Sequence, residues 1–434
     1  MMRKTSLLAV LLGMCLTIQA QTAKEEIANN HFLSASNYLD YDNYPATKPL
    51  TKAPKGYEPY YLTHYGRHGS RWLLNDDSYM DDIKTLRKAQ KYGKLTAKGA
   101  EVLQQLERFY PCTVKRLGDL TTVGERQHHG IGRRMAQHFP EIFLKKNVNI
   151  DARSTVVVRC ILSMTAECEE LQGANPTARI HNDVSESLQY YLNQPKSKQL
   201  REASRKAQGK VHEYRTKYTH PERFSTVLFN DPQYVKDSVN AGHLMRSVFD
   251  VAANMQSHDT DIELLSLFTD DELYDQWRIR NVGWFVDCGN TPLTDGLMPY
   301  SQENLLENII MTADTVTKVQ ATLRFGHEVC VMPLACLLEL DNCGKSISDL
   351  DHLDDVWRNY NIFPMACNIQ LVFYRPKKGK SGDILVKALL NERETTMPVA
   401  TDQWPYYKWS DLRKYYKDKL NRYNEIKKAY EEKK

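Results

Sequence analysis

The chain has 434 residues, of which 41% are hydrophobic, 26% charged and 10% aromatic, a composition typical of a globular protein and not of a disordered or fibrous one. Its formal net charge is only +4 at pH 7, which argues against a nucleic acid or a membrane surface as partner. The length allows a sizeable core and about two or three domains.

The first twenty residues have the pattern of a secretory signal peptide. Two basic residues precede an apolar stretch at 7–18, and Ala20 supplies the small residue expected at a cleavage site. We therefore expect an exported protein, periplasmic or secreted, from which residues 1–20 are removed. Lipid attachment at Cys15 is the alternative, and the bulky residue before it argues against that. Further along, no stretch approaches the ~20 consecutive apolar residues of a membrane-spanning helix.

Eight of the nine cysteines follow residue 20. An even number permits disulfides in an exported protein, but their spacing does not fix the pairing, and buried thiols are the alternative for those in apolar runs. No Cys-x-x-Cys pair is present, so a zinc ribbon or a redox motif is not supported. We expect neither a metal nor another cofactor.

A strand and a basic loop are predicted near the start of the mature chain. The stretch 57–65 is rich in aromatic residues and is bounded by Gly56 and Gly66, which is typical of a buried strand. The sequence RHGSR (67–71) follows it directly and places two arginines and a histidine within five positions. Gly66 and Gly69 would let the backbone turn sharply and come close to a ligand.

Two helices are predicted next, at 81–110 and 122–139. The second begins with Thr121 or Thr122 ahead of Glu125, which we interpret as a capping box.

The stretch 148–171 combines a strand signal with a helix signal. Apolar residues recur at helical spacing in its second half, so we predict a short strand to Arg153, a cap at Ser154 and a helix to Leu171. This interpretation places Arg159 in the first turns of the helix.

A long tract at 185–315 is predicted to be mostly helical. We expect it to form an inserted domain or cap between two parts of one core, at 21–184 and 316–434.

The pattern of strand, turn and helix returns at 319–340. His327 lies at the turn, and the following helix contains Pro333. Two further strands are joined by a basic turn at 377–380, and a charged helix from about Trp409 ends the chain. Strands that alternate with helices indicate an α/β three-layer sandwich, with a mainly parallel sheet flanked by helices and a mostly helical inserted domain.

Basic or titratable residues follow three of the predicted strands. The carboxyl ends of strands in an open α/β sheet form the usual ligand crevice, so these residues can meet there. Arginine matches the oxygens of a phosphate and keeps its charge, and a neutral imidazole can attack phosphorus to give a phosphohistidine. The pattern therefore predicts phosphoryl transfer from a small anionic phosphate ester. The candidate residues are Arg67, His68, Arg71, Arg159, His327 and Glu328.

The expected chemistry assigns a role to each titratable group. His68 must keep one ring nitrogen unprotonated, with the other held by an acceptor such as a backbone carbonyl near Gly69. Glu328 would protonate the leaving oxygen, so its pKa should be raised, or the enzyme should work in mildly acidic conditions. His327 would donate a hydrogen bond to the phosphoryl oxygens.

Four segments carry a resemblance to a known family. RHGSR (67–71) resembles the RHGxR signature of the histidine acid phosphatases, a group within branch 2 of the histidine phosphatase superfamily. The segments at 120–135, 153–163 and 323–334 resemble that family's LTxxGxxQ, RSTxxxRxxxS and second-histidine motifs, in family order. The sequence of the last segment most resembles that of the multiple inositol polyphosphate phosphatase and histidine-type phytase group.

The resemblance implies a phosphohistidine mechanism without a metal. His68 would be the nucleophile, His327 would complete the pocket, and phosphate would be bound by Arg67, Arg71 and Arg159. The chain departs from the family at Glu328, because the second histidine is usually followed by Asp or by Ala-Glu. We still expect Glu328 to be the proton donor.

Other interpretations concern residues outside this set. We expect His64 to be packed or to lie behind the site, not to share a metal with His68. His128 and His129 are interpreted as helix surface and pocket rim. An ion pair of Arg159 with the glutamates later in its helix is the alternative to phosphate binding.

The sequence therefore predicts an exported phosphomonoesterase that acts through a phosphohistidine, on inositol polyphosphates such as phytate. The alternatives are an acid phosphatase for sugar phosphates or other small monoesters, and a phosphate-binding protein without turnover.

Overall fold

One mixed β-sheet lies at the centre of the protein. A computed structural model describes residues 21–43 and 49–433, so the predicted signal peptide (1–20) lies outside the described residues. The strands of the described residues are β1 (Tyr57–Arg67), β2 (Asn149–Ser154), β3 (Arg179–Asp183), β4 (Ala321–Gly326), β5 (Asn368–Pro376), β6 (Leu385–Leu390), β7 (Arg393–Thr395) and β8 (Tyr407–Lys408).

The sheet has a parallel half and an antiparallel half. The strand order is β3-β2-β4-β1-β5-β6-β7, with β8 also paired to β6. Strands β1 to β4 are parallel, β5 is antiparallel to both β1 and β6, and β6 is antiparallel to β7 and β8. Five of these strands, β1 to β4 and β6, therefore point the same way.

Helices make up most of the remaining chain. Those of the described residues are α1 (Ala23–Asn29), α2 (Asp77–Lys91), α3 (Ala97–Thr113), α4 (Thr122–His138), α5 (Pro140–Phe143), α6 (Val158–Ala174), α7 (Gln189–Leu192), α8 (Lys198–Lys217), α9 (Glu222–Leu228), α10 (Pro232–Ser238), α11 (Ala241–Asn254), α12 (Asp270–Cys288), α13 (Glu303–Thr315), α14 (Glu328–Leu338) and α15 (Trp409–Glu432).

Both faces of the sheet are covered by helices. Apolar side chains of α4, α5 and α6 pack on one face, and those of α8, α12, α13, α14 and α15 pack on the other. Every residue of β4 is buried, as expected for a strand covered on both faces. The predicted α/β sandwich is confirmed.

A second apolar core lies among helices away from the sheet. It joins α1, α2, α3, α9 and α11 to the start of α12. The tract 185–315 is mostly helical, and its helices divide between the two cores: α8 and α13 pack on the sheet, while α9 and α11 pack against α2 and α3. The domain boundaries stay a prediction.

Two local predictions about the first helices were wrong. The stretch 81–110 holds two helices, because the backbone turns at Gly93, which adopts a left-handed conformation with φ of 65°. The capping box with Glu125 is not formed. Thr121 caps α4 by accepting from the backbone N–H of Gly124, so a glycine and not a glutamate occupies the third helical position.

The predicted helix cap at Ser154 was also wrong. Ser154 is the last residue of β2 and pairs with Phe325 of β4, so its backbone is still extended. Helix α6 begins at Val158, without a side-chain cap. Arg159 nevertheless lies in the first turn, as predicted.

The cysteines form no disulfide among the described residues. All eight are free thiols, and seven of them are buried. None of the helices in the described ranges is long and apolar enough to cross a membrane.

Candidate active site

The register of the parallel strands brings the two predicted histidines together. Arg67 and Gly326 are paired at the carboxyl ends of neighbouring strands β1 and β4. His68 and His327 are the next residues of each strand, so they leave the sheet at the same height. Their ring centroids are 5.6 Å apart, with the rings in a T-shaped arrangement.

The ring of His68 is held so that Nε2 is free. Nδ1 lies 2.8 Å from the carbonyl oxygen of Gly69, which can only accept, so Nδ1 carries the hydrogen. Nε2 makes no hydrogen bond. Burial holds the pKa of His68 well below its usual value, the neighbouring Glu328 opposes this shift and the charge of Arg67 adds to it. His68 is therefore a neutral imidazole with its lone pair on Nε2.

The turn after His68 depends on Gly69. A Cβ atom on Gly69 would lie 2.3 Å from the carbonyl oxygen of Gly124, at the start of α4. The backbone N–H of Gly69 also donates to Oγ of Ser163 at 3.1 Å. The loop thus packs directly on the backbone of α4 and on a side chain of α6.

Arg67 is completely buried beside His68. Its Nη1 donates to the carbonyl oxygens of Asn37 and Phe363, at 2.7 and 3.0 Å. Nε lies 3.1 Å from Oε2 of Glu328, and Nη2 has no hydrogen-bond partner. The guanidinium is anchored through Nη1, is paired with Glu328 through Nε, and keeps Nη2 for a ligand.

Arg71 and Arg159 are anchored in the same way. Nη1 of Arg71 donates to the carbonyl of Trp72 at 2.9 Å, and Nη1 of Arg159 donates to that of Gly118 at 3.3 Å. Each Nε is buried without a hydrogen-bond partner. Arg159 forms none of the described ion pairs with the glutamates of its own helix, which answers the alternative raised by the sequence.

The charges of all three arginines act on His327. Burial lowers the pKa of His327 to about 4, and the charges of Arg159, Arg67 and Arg71 act in the same direction against that of Glu328. His327 is therefore neutral in mildly acidic solution and has one N–H to donate. The structure brings together all six residues singled out by the sequence.

The raised pKa expected for Glu328 was wrong for this arrangement, and the alternative of mildly acidic working conditions stays a prediction. Burial alone would raise the pKa of the carboxyl group, but the charge of Arg67 holds it well below its usual value. Oε2 lies 3.1 Å from Nε of Arg67 and 3.6 Å from Nε2 of His68. The sequence did not show that the guanidinium group of Arg67 comes close enough to pair with this carboxylate.

The same geometry could hold a cation. Ligand atoms of His68, His327 and Glu328 lie within 4.8 Å of one another, as a metal ion would require. The three guanidinium groups around them repel a cation and attract an anion. Buried donors without partners normally have one in the working protein, so the site fits a phosphate better than a metal.

Several residues that build the site were missed or misjudged from the sequence. Gln127 accepts from the backbone N–H of Ser70 at 2.9 Å. His128, interpreted as surface or rim, is fully buried and contacts the carbonyl of Arg67. Positions 124, 127 and 128 share one helix face, and that spacing is the signal that could have placed His128 inside. His64 is packed against Phe325, as expected.

Comparison with known proteins gives the family. A model of the histidine phosphatase superfamily (branch 2) matches residues 66–391, which include all six site residues. The chain belongs to this superfamily. The family predicted from the four motifs is confirmed, and with it the class of enzyme, a histidine phosphatase. No curated protein matches the sequence.

Solved structures of a multiple inositol polyphosphate phosphatase and of a phytase share the fold. The multiple inositol polyphosphate phosphatase of Bifidobacterium longum, in complex with inositol hexasulfate, is 18% identical with a TM-score of 0.70, and the match covers 88% of this chain and 96% of that one. Its complex with phosphate gives 19% identity and a TM-score of 0.68, over 87% and 97% of the two chains. The phytase from D. castellii is 14% identical with a TM-score of 0.65, over 84% of this chain and 80% of that one.

Proposed function

We propose that this histidine phosphatase is an exported enzyme that hydrolyses inositol polyphosphates through a phosphohistidine on His68. The observation that carries the mechanism is the free Nε2 of a neutral, buried His68 among three guanidinium groups that each have an unpartnered nitrogen. An imidazole lone pair is the nucleophile that this reaction needs. Arginine donors supply charge where the phosphoryl oxygens become more negative.

The reaction would proceed in two steps. Nε2 of His68 attacks phosphorus, and the bond to the leaving oxygen breaks as Arg67, Arg71 and Arg159 hold the phosphoryl oxygens. Glu328 gives a proton to the leaving oxygen. Water then attacks the phosphohistidine, Glu328 takes up the proton, and inorganic phosphate leaves His68 free.

Glu328 would gain its proton when the substrate binds. The guanidinium that now pairs with Glu328 belongs to Arg67, and a phosphate oxygen would compete for it. A carboxylate that loses its cation and faces a dianion has a raised pKa. The ion pair is therefore compatible with proton donation once phosphate is bound.

We infer that a cavity near the site, whose lining includes none of the six site residues, receives part of a polyphosphorylated substrate. It has a volume of about 760 Å³ and lies between α2, α8, α11 and α12. Its wall includes Trp284, which packs against Phe363 with 5.0 Å between the ring centroids. The backbone carbonyl oxygen of Phe363 in turn accepts a hydrogen bond from Nη1 of Arg67. The cavity is thus one aromatic residue away from the proposed phosphate site.

Arginine side chains line this cavity. Arg215 and Arg246 form no ion pair within residues 21–43 and 49–433, and burial and the Arg215 charge lower the pKa of Arg246. Arg280 pairs with Asp250, yet its Nη1 is buried without a partner. The same wall also contains Asp77, Asp81, Asp250 and Asp287, so the lining has mixed charge, and an anionic ligand would bind through the arginines. Further phosphates on an inositol ring would supply it, as the sulfated ligand of the B. longum relative suggests.

Export is the remaining part of the proposal. Helix α1 begins at Ala23, with a capping box of Thr22 and Glu25. Cleavage after Ala20 would leave this helix start intact. Amino-terminal sequencing of protein recovered from outside the cytoplasm should begin at Gln21.

The experiment is a phosphate-release profile over inositol hexakisphosphate, a sugar phosphate and an aryl phosphate, with and without chelator. The wild type should hydrolyse all three without a metal, with the highest kcat/KM on the inositol phosphate, and His68→Ala should be inactive. Arg246→Gln should lose at least tenfold in kcat/KM on the inositol phosphate and little on the aryl phosphate. Arg205→Gln, on the exposed face of α8, is the matched control.

Each other result contradicts a part of the proposal. A preference for the sugar phosphate, unchanged in Arg246→Gln, would favour the small-monoester phosphatase. Activity that chelator abolishes would reject the mechanism without metal. Binding of phosphate without any turnover would leave only a phosphate-binding protein.

A further inference from the structure

The peptide that joins Arg67 to His68 is held at both of its polar atoms. Its N–H, which belongs to His68, donates to the carbonyl oxygen of Gly326 at 3.0 Å. Its carbonyl oxygen, which belongs to Arg67, lies 3.1 Å from Nε2 of His128. Because a carbonyl oxygen can only accept, Nε2 of His128 carries the hydrogen. The orientation of this peptide sets the direction in which the His68 ring leaves the backbone.

His128 is itself fixed by a buried acid. Its Nδ1 lies 3.1 Å from Oε2 of Glu167, and both side chains are completely buried. The carboxylate and the carbonyl on the two sides of the ring are both acceptors. The pair therefore shares a proton on the Nδ1 side, while Nε2–H points at the peptide before His68. Helix α4 supplies the histidine and α6 supplies the acid.

The side chain of Arg67 does not depend on this contact. Its Nη1 is held by the carbonyls of Asn37 and Phe363, at 2.7 and 3.0 Å. Loss of the hydrogen bond from His128 would therefore free the peptide but leave the guanidinium anchored. Different hydrogen bonds therefore hold the guanidinium of Arg67 and the peptide that orients His68.

We propose that His128, oriented by Glu167, is a positioning residue that keeps Nε2 of His68 in line with the phosphorus atom. The inference rests on the proposed nucleophilic role of His68. A displaced nucleophile lowers the rate of attack by up to about a hundredfold for a shift of ~1 Å, while ground-state binding to the arginines is kept. The signature of this role is a loss in kcat without a loss in phosphate affinity.

Two amide substitutions separate the two contacts of the ring. The amide nitrogen of glutamine reaches the position of Nε2, so His128→Gln keeps a donor for the Arg67 carbonyl. The amide of asparagine reaches only the position of Nδ1, so His128→Asn keeps the contact with Glu167 and loses the one with Arg67. A second pair is Glu167→Gln, which keeps a polar partner for Nδ1, and Glu167→Met, which removes it.

The measurements are kcat on an aryl phosphate, the inhibition constant of inorganic phosphate, and the urea midpoint of each variant. We expect His128→Asn to lose at least tenfold in kcat with an inhibition constant within twofold of wild type, and His128→Gln to recover most of that loss. Glu167→Met should lose more kcat than Glu167→Gln. Where one variant fails to fold, the other pair carries the test.

Other outcomes overturn the inference. Equal kcat in folded His128→Asn and His128→Gln would show that the Arg67 contact does not position the nucleophile, as would loss of kcat and phosphate affinity together. A wild-type kcat in folded Glu167→Met would show that Glu167 is not needed to orient His128. These results differ from failure of the proposed function, in which the wild type itself would form no phosphohistidine.

Discussion

Glu328 and the fully buried Arg67 form an ion pair, with 3.1 Å between Oε2 and Nε. The carboxylate thus lies where it can reach both the guanidinium that would bind phosphate and the ring of His68, 3.6 Å away. In the proposed mechanism the pair would link substrate binding to protonation, because a phosphate that took over Arg67 would release the carboxyl group to act as an acid.

The first prediction concerns the leaving group. Glu328→Gln cannot donate a proton, so hydrolysis of alkyl phosphates should fall by at least about a hundredfold in kcat. Aryl phosphates, whose leaving oxygen needs no proton, should lose less than about tenfold. Steady-state kinetics on the two ester classes gives the comparison.

Equal losses on both classes would remove Glu328 from the role of acid. Glu303→Gln is the matched control, since Glu303 pairs with Lys427 in α15 and lies outside the site. It should leave both rates close to those of the wild type.

The second prediction follows from the protonation of His68. Burial holds its pKa well below the usual 6.5, so the neutral form should persist as the pH falls. Turnover of an aryl phosphate should therefore stay within about twofold between pH 7 and pH 5. A pH-rate profile under single-turnover conditions tests this, and a decline with an apparent pKa near 6.5 would show that the ring is not protected.

The third prediction tests the close approach at Gly69. A Cβ atom there would lie 2.3 Å from the Gly124 carbonyl oxygen, so Gly69→Ala must push the loop away from α4. We expect a loss of about 1–3 kcal/mol in stability and a fall of about a hundredfold in kcat, since the carbonyl of Gly69 orients His68.

Gly209→Ala is the control for the same substitution in open space. Gly209 lies within α8, and a Cβ atom there would meet nothing within 4 Å. Alanine is the better helix former, so this variant should gain roughly 0.5–1 kcal/mol and keep its activity. The urea midpoints of the two variants should move in opposite directions, and only Gly69→Ala should lose kcat; a parallel shift of the two midpoints would contradict the packing argument.

The strands and the position of the site could be predicted because each depends on a short stretch. The aromatic run before Arg67 marks a strand, and glycines mark the turn. Parallel strands bring their carboxyl ends to one edge, so His68, Arg159 and His327 could be expected to meet although they are far apart in the chain.

The errors arose where packing between elements decides the outcome. His128 was interpreted as exposed although it shares a helix face with positions 124 and 127, and the contact of α4 with α6 buries it beside Glu167. The protonation of Glu328 depends on the distance to Arg67, which no sequence spacing gives. Ser154 resembles a helix cap locally but continues β2, because β4 offers it a strand partner.

The last prediction concerns a buried acid beside the cavity. Asp82 lies in α2, and burial raises its pKa from 3.8 to about 8, with the charges of Asp250 and Asp81 adding to the shift against a hydrogen bond from Ser247. Oδ2 has no hydrogen-bond partner. The folded protein therefore keeps this proton at pH values where the unfolded chain has released it.

The sign of the effect on stability follows from that difference. Between pH 4 and pH 8 the folded state binds more protons at Asp82 than the unfolded state, so its contribution to stability falls as the pH rises. Asp82→Asn is neutral at every pH and removes this loss. The variant should match the wild type near pH 4 and exceed it by at least about 1 kcal/mol near pH 8. Asp81→Asn, at a neighbouring position that is partly exposed, is the control and should show no such gain. Urea unfolding of Asp82→Asn and wild type at several pH values gives the comparison. A difference in stability that does not change with pH would mean that Asp82 is already ionised in the folded protein.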